Sequence, residues 1–277
     1  MKRVASRVAR RLGGTIRNAG WWLAAAPACA AAVVRNAVGR RHYRELSEAR
    51  LRATRTSDTV FIFGSGWSLN EIRPSEWNAI AAANTISFRD FPRQSFVRAD
   101  YHLTGEVDDL DEYAARLREN PRYAETVFVV QAGWKAYMGN NLIGRRLLRD
   151  RASVFRYRRV ARGRYAPPSR SFEEGLVHGF GSLIGVVNFA YLMGWQDIVI
   201  AGVDLYDKRY FWLPPDTART YEKAGMKIDS QFINSARIVG MLGQWRQIFA
   251  SEGVRLTVYN SRSLLTAALP VYPPVSA

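Results

Sequence analysis

The segment Gly64-Ser65-Gly66-Trp67-Ser68-Leu69 follows directly on an apolar run, Thr59–Phe63. Glycines at such a place allow main-chain angles closed to other residues and let a ligand approach the backbone. The N–H groups of a turn that leads into a helix suit a phosphate or a ribose. The pattern stops short of two familiar nucleotide signatures. No third glycine completes the dinucleotide fingerprint, and no Gly-Lys-Ser/Thr makes it a P-loop. A tight turn without a ligand is the competing reading. A second cluster lies far along the chain. His178-Gly179-Phe180-Gly181-Ser182 opens an apolar stretch with helical spacing, and Gly194-Trp195 follows it. The run Asp197–Gly202 then leads into Val203-Asp204-Leu205-Tyr206, with Tyr210 four residues on. Two phenols beside a site can donate hydrogen bonds to a departing phosphate without a metal. Each tyrosine has an equally ordinary reading as a packed aromatic.

These groups need a scaffold that brings them together, and the hydrophobic pattern predicts one. Strand-length apolar runs fall at Thr59–Phe63, Asn84–Phe88, Asp100–Thr104, Thr126–Gln131, Ser153–Tyr157, Asp197–Gly202 and Arg255–Tyr259. Helical spacing fills Leu110–Arg118, Ser182–Met193 and Ile233–Ala250 between them. Strands alternating with helices predict an α/β fold, a single Rossmann-like domain whose mostly parallel central sheet is flanked by helices. In such a sheet ligands bind outside the carboxyl ends of the strands. Gly64, Gly202, Asp204 and Tyr206 should therefore meet at one edge. Two stretches read as loops: Arg159–Ser171, and a longer one at 207–230 that suits a lid. The expected division is a basic helical arm over 1–56 and the Rossmann-like domain over 57–277.

The chain has 277 residues and one cysteine, Cys29, so no disulfide forms within it. Three histidines and one cysteine argue against a structural zinc site. The net charge of +16 is uneven: residues 1–50 hold eleven Lys and Arg against two Glu, a net +9. A basic arm on a milder domain calls for an anionic partner. Its apolar middle, Trp21–Val34, has 14 residues where a spanning helix needs about 20. Arginines crowd both flanks of that run, which disfavours a secretory signal. The favoured reading is an interfacial segment, with Trp21 and Trp22 at the lipid boundary and arginines on phosphates. The alternative is a helix packed on the protein's own core. No nucleic-acid motif accompanies the charge, which disfavours that partner.

Taken together, the two clusters resemble the bacterial sialyltransferases of glycosyltransferase family 42. Those enzymes open with strand-Gly-Asn-Gly-Pro-Ser-Leu, against Gly64-Ser65-Gly66-Trp67-Ser68-Leu69. Their central block is Thr-Ser-Gly, an apolar helix, Leu-Gly-Tyr, a strand and Ser-Gly-Ile-Asp-Phe-Tyr. The matching stretches are Gly181-Ser182-Leu183, Met193-Gly194-Trp195 and Ala201-Gly202-Val203-Asp204-Leu205-Tyr206. A later Tyr-Ala-Phe matches Tyr210-Phe211-Trp212, and Asn-Ser-Leu-Leu resembles Arg262-Ser263-Leu264-Leu265. The resemblance covers about Thr59–Leu269. It implies a metal-independent, inverting transferase that moves an acidic keto-sugar from CMP to a cell-surface glycan or glycolipid, without a separate cofactor. By the same resemblance Gly64, Ser65 and Gly66 hold the nucleotide and Ser182 contacts the donor. Tyr206 and Tyr210 steady the leaving phosphate. Ser68, Gly202, Asp204 and Ser263 lie in the matching blocks and complete the expected donor site. The implied setting is the cytoplasmic side of a bacterial inner membrane, with the arm on anionic lipid.

Two departures from the family bear on mechanism. The family's catalytic histidine lies in the lid, where this chain reads Asp229-Ser230-Gln231-Phe232-Ile233. Asp229, His178 and His102 are the candidate bases in its place. The family's Arg-Cys-Asn after the second strand reads Ser87-Phe88-Arg89. Arg89 thus replaces an asparagine and can pair with a phosphate or a donor carboxylate. The donor sugar is sialic acid or a related acid such as Kdo (3-deoxy-manno-octulosonate). Two other readings remain: a nucleotide enzyme like the pterin pyrophosphokinases and flagellar accessory proteins that share Gly-x-Gly-x-Ser-Leu, and a degenerate, non-catalytic binder.

Overall fold

A computed structural model describes residues 25–160, 165–217 and 228–273, with the side chains of 228–234 outside the described part. Its centre is a nine-stranded sheet. The strands are β1 (Arg44–Glu45), β2 (Thr59–Phe63), β3 (Asn84–Phe88), β4 (Tyr101–Leu103), β5 (Val127–Ala132), β6 (Ser153–Val160), β7 (Leu176–Val177), β8 (Asp197–Ala201) and β9 (Arg255–Val258). Their order is β1-β6-β5-β4-β3-β2-β8-β9, with β7 also on β6, and every strand pairing is parallel. Parallel strands need crossovers, and the helices supply them. They are α1 (25–39), α2 (Glu48–Arg52), α3 (Pro74–Ile80), α4 (Leu110–Glu119), α5 (Tyr137–Gly144), α6 (Ser182–Met193) and α7 (Ile228–Ala250).

The two sheet faces are read from alternate residues of single strands. Val60 and Ile62 of β2 point into one core with α6 and α7, against Ile184, Val187, Met241 and Trp245. Phe61 and Phe63 point into the other, with Trp77, Ile80, Leu117 and Ile143 of α3, α4 and α5. Burial on both faces explains why β2 and β8 are apolar throughout rather than alternating. The same holds for α6, which lies sandwiched and is buried along nearly its whole length. It begins after Gly181 and stops at Gly194, which takes a left-handed conformation with φ of 84°.

The seven expected strands and three expected helices are all present, with ends shifted by a few residues. The larger differences lie elsewhere. β6 runs on to Val160, into the stretch expected as a loop. β1 and β7, two residues each, were not expected. α7 starts at Ile228, inside the expected lid of 207–230. Residues 218–227 of that lid lie outside the described residues. The segment 25–56, expected as part of an arm, is built into the domain instead. α1 packs on α5, where Asn36 Nδ2 donates to Asn140 Oδ1 at 2.8 Å. β1 joins the sheet beside β6, and Leu51 of α2 is fully buried in the core. Residues 1–24, including Trp21 and Trp22, lie outside the described residues. Among the described residues no helix is long and apolar enough to cross a membrane.

Candidate functional site

From β2 the chain moves outward through β3, β4, β5 and β6, then returns to place β8 on the other side of β2. The loops after β2 and β8 therefore leave in opposite directions, the point at which open α/β sheets form a crevice. Gly64-Ser65-Gly66 and Gly202–Tyr206 both sit there, so the edge expected from sequence is the edge observed. The loops are joined by a hydrogen-bonded seam. The Gly64 N–H donates to the Ala201 carbonyl at 2.8 Å, and the Gly66 N–H to the Gly202 carbonyl at 2.7 Å. A Cβ at Gly64 would run into the Gly202 carbonyl, and one at Gly66 would stand 2.6 Å from Asp204 Oδ2. Gly202 has φ of +65°, a region that favours glycine. The glycines thus serve first the close approach of two strand-end loops.

Asp204 anchors the seam. Its carboxylate accepts from the Ser68 N–H at 2.9 Å, from the Ser68 hydroxyl, and from Asn260 Nδ2 at 3.1 Å. Burial pushes its carboxyl above the ordinary aspartate value, and the bonds from Ser68 and Asn260 act the other way. Ser263 Oγ donates to the Val203 carbonyl at 2.6 Å. Ser68, Asp204 and Ser263, expected in a donor site, therefore direct these groups inward. They hold the rim of the crevice in shape.

The segment after Tyr206 folds back over the glycine loop. Gly66 forms an antiparallel bridge with Tyr210, and the Phe211 N–H donates to the Ser65 carbonyl at 3.2 Å. Asp207 and Arg209, both buried, form a forked ion pair, and the Arg209 guanidinium lies 4.1 Å from the Trp67 ring centre. Tyr206 sits in the field of Arg209 and Arg262. Tyr210 stacks on Trp212, with ring centres 4.5 Å apart.

Beyond Tyr210 opens a cleft of about 250 Å³ at the carboxyl ends of β3 and β4. Arg89, Arg93 and Arg116 line it with Tyr210, Trp212 and Tyr113, and so do the carboxylates Asp90, Asp108, Asp109 and Glu112. Several of these charges are already engaged. Glu112 pairs with Arg116 and lies 3.6 Å from Arg93, which also covers the Trp212 ring at 4.9 Å. Asp109 caps α4, accepting from the Asp111 and Glu112 N–H groups. Arg89 differs: among the described residues it has no ion-pair partner. It also has φ of +53°, an unusual backbone angle for an arginine. Such strain costs about 1 kcal/mol or more and is typical of residues held in place for a task.

Behind the cleft wall the Tyr113 hydroxyl bonds to His102 Nε2. His102 Nδ1 lies 2.8 Å from Ser87 Oγ, which also accepts from the Tyr123 hydroxyl at 3.0 Å. Burial drops the His102 pKa from 6.5 to about 3. His102, a candidate base from sequence, is a fully enclosed neutral imidazole with both nitrogens in hydrogen bonds.

The chain matches no protein-family model and no curated protein.

The start of α6 reaches the same edge from behind. An added Cβ at Gly105, after β4, would stand 3.4 Å from Ser182 Oγ and 3.7 Å from Arg89 Cγ. Gly105 is thus a small residue wedged between two expected donor contacts. His178 is nearby, with Nδ1 buried and without a hydrogen-bond partner. Burial, Arg159 and Arg89 together lower its pKa to about 4, in that order of effect. It is neutral near pH 7, yet a poor proton acceptor, since a base works best with a pKa near the working pH. Asp229 is the second residue of α7, and its side chain lies outside the described residues. The sequence reading missed Asp90, Arg93, Arg116 and Trp212, as well as Glu106, an exposed carboxylate next to Gly105. The available signal for Glu106 was its place just past the strand end at Leu103. Among the described residues no group of three His, Cys, Asp or Glu side chains converges on a metal position.

Proposed function

We propose that the chain is an inverting glycosyltransferase that moves an acidic keto-sugar, of the sialic acid or Kdo type, from CMP to a glycan acceptor. The observation that carries the reading is the place of Arg89 at the strand ends, where it lines one cleft with Tyr210 and meets Ser182 across Gly105. An unpaired guanidinium, a hydroxyl at a helix start and a phenol are the donors that a phosphate or carboxylate requires. The order of sequence blocks shared with family 42 supports the same conclusion. In the reaction the bond from the anomeric carbon to the CMP oxygen breaks, and its electron pair stays on the phosphate. The acceptor oxygen bonds to that carbon and its proton passes to a base. Arg89 and Tyr210 stabilise the departing phosphate, and Ser182 orients the donor. Glu106 and Asp229 are the carboxylates for the proton. The seam of Gly64, Gly66, Ser68, Gly202, Asp204 and Ser263 holds the rim in shape.

The alternative is a magnesium–nucleotide enzyme: four carboxylates line the cleft, but two of them are engaged by Arg116 and the α4 N-terminus, and among the described residues no three converge on a metal position. Calorimetry with CMP, CMP-sialic acid, CMP-Kdo and ATP, each with and without magnesium, separates the two. The transferase reading expects CMP compounds to bind without magnesium and CMP to be released from one of the two sugars. It also expects Arg89→Ala to weaken donor binding by about tenfold, the cost of one charge-assisted hydrogen bond. Binding of ATP with magnesium alone, and of no CMP compound, sinks it.

A further inference from the structure

α1 buries one face and leaves another bare. Cys29, Ala32 and Asn36 face inward on it, and Arg35 Nη2 donates to Asn141 Oδ1 at 2.9 Å. On the outer side Val34 and Val38, one turn apart, are 65% and 60% exposed. The segment after β5 raises two rings: Trp134 in the loop, 50% exposed, and Tyr137 at the start of α5, 43% exposed. Trp134 looks across an open groove of about 410 Å³, with Val33, Ala37 and Arg40 on the far wall. Single exposed apolar residues need no explanation, but large ones gathered on adjoining surfaces do.

Charge decides among the occupants. Arg40 and Arg41 extend α1 into a 3₁₀ turn, and Arg156, which also lines the groove, is paired with Glu45, so Arg40 and Arg41 are the cations offered on this side. The 24 residues that precede α1 carry six Lys and Arg and no acid, and they bring Trp21-Trp22 to its start. A second copy of the chain would set these cations against their own images at a net charge of +16 per chain. An anionic bilayer offers the complement to each feature. Its boundary takes tryptophan and tyrosine rings, its acyl region takes the valines, and its phosphates take the arginines.

We propose that α1 and the Trp134–Tyr137 segment form one rigid docking face for an anionic lipid surface. The inference does not depend on the nucleotide reading. It adds to it, because Trp134 follows the carboxyl end of β5, on the same sheet edge as the cleft. A lipid-borne acceptor would meet the site on that side.

The test uses the full chain with Tyr137→Cys. Its other thiol, Cys29, is 3% exposed, so a polarity-sensitive dye reports on position 137. Vesicles of phosphatidylcholine alone are compared with vesicles that also contain phosphatidylglycerol. The expected result is a blue shift and co-sedimentation with the anionic vesicles only. Trp134→Ala combined with Val38→Asn should weaken sedimentation of the unlabelled chain by about tenfold, the share of a buried ring and valine. Arg40→Gln with Arg41→Gln should weaken binding at low salt and flatten its loss with rising salt. The replaced apolar groups are exposed, and unchanged melting curves confirm folding. Wild-type lipid binding by the Trp134/Val38 variant would assign binding to residues 1–24 alone and overturn the proposal. No binding to anionic vesicles, or a dye shift that follows protein concentration without lipid, would overturn it as well.

Discussion

His102 and His178 are both held neutral by burial, but their surroundings differ. His102 is enclosed by Ser87 and Tyr113 and reaches no solvent. His178 has a buried nitrogen without a hydrogen-bond partner, in the field of two arginines. The consequence for His102 is a pH dependence of stability. Its folded pKa of about 3 lies below the ordinary 6.5. Below pH 6.5 the unfolded chain takes up a proton that the folded chain refuses, so stability falls with pH down to the folded value. From about pH 7 to about pH 5 the loss from this one group is about 2 kcal/mol. His102→Gln, which keeps an amide in the hydroxyl chain and cannot titrate, should flatten the urea-unfolding stability over that range by this amount. His178 keeps its own share in both proteins. Parallel curves for the two proteins would remove His102 as the cause.

At the scale of elements, what was legible in the sequence was whatever repeats locally. Thr59–Phe63 and Asp197–Ala201 announce themselves as apolar strands because both faces are covered. Ser182–Met193 is bounded by glycines at each end and matches to the residue. β1 and β7 are too short to carry a pattern, and they exist because β6 offers an open edge. The glycine loop was visible, but its role in the seam was not, since Gly64 and Gly66 meet partners that lie far along the chain. The cleft was hidden for the same reason: Arg89, Arg93, Glu112 and Trp212 share a wall only after three elements assemble. Two glycines on this edge separate the roles. Gly64→Ala places a methyl against backbone that cannot retreat, and overpacking of that kind should lower the melting temperature by more than about 5 °C. Gly105→Ala meets the Ser182 hydroxyl and an arginine methylene at ordinary contact distances. Its melting temperature should stay within about 2 °C of the parent, while CMP-sugar affinity falls. Equal thermal losses in the two variants would contradict the division between a structural seam and a donor contact.

At the scale of the whole molecule, the question is how a basic segment is fixed to an α/β domain. The answer lies in a close crossing of α1 and α5. A Cβ at Gly144 would stand 2.7 Å from the backbone of Arg35 and Asn36. The two helices therefore touch main chain to main chain, and the side-chain bonds Asn36–Asn140 and Arg35–Asn141 flank the contact. A helix held this way is fixed to the domain along its inner face. Gly144→Ala should lever α1 outward while leaving the sheet intact. Cys29, buried on the inner face of α1, is the natural reporter because no other thiol competes. Its reaction with a thiol reagent should accelerate by about tenfold or more, the effect of losing about 1.4 kcal/mol of protection against local opening. Binding to anionic vesicles should weaken in parallel, because α1 would no longer be held beside Trp134. A Cys29 rate equal to that of the parent protein would mean that the crossing yields without moving the helix. The rigid link between α1 and the domain would then have to reside in the asparagine bonds alone.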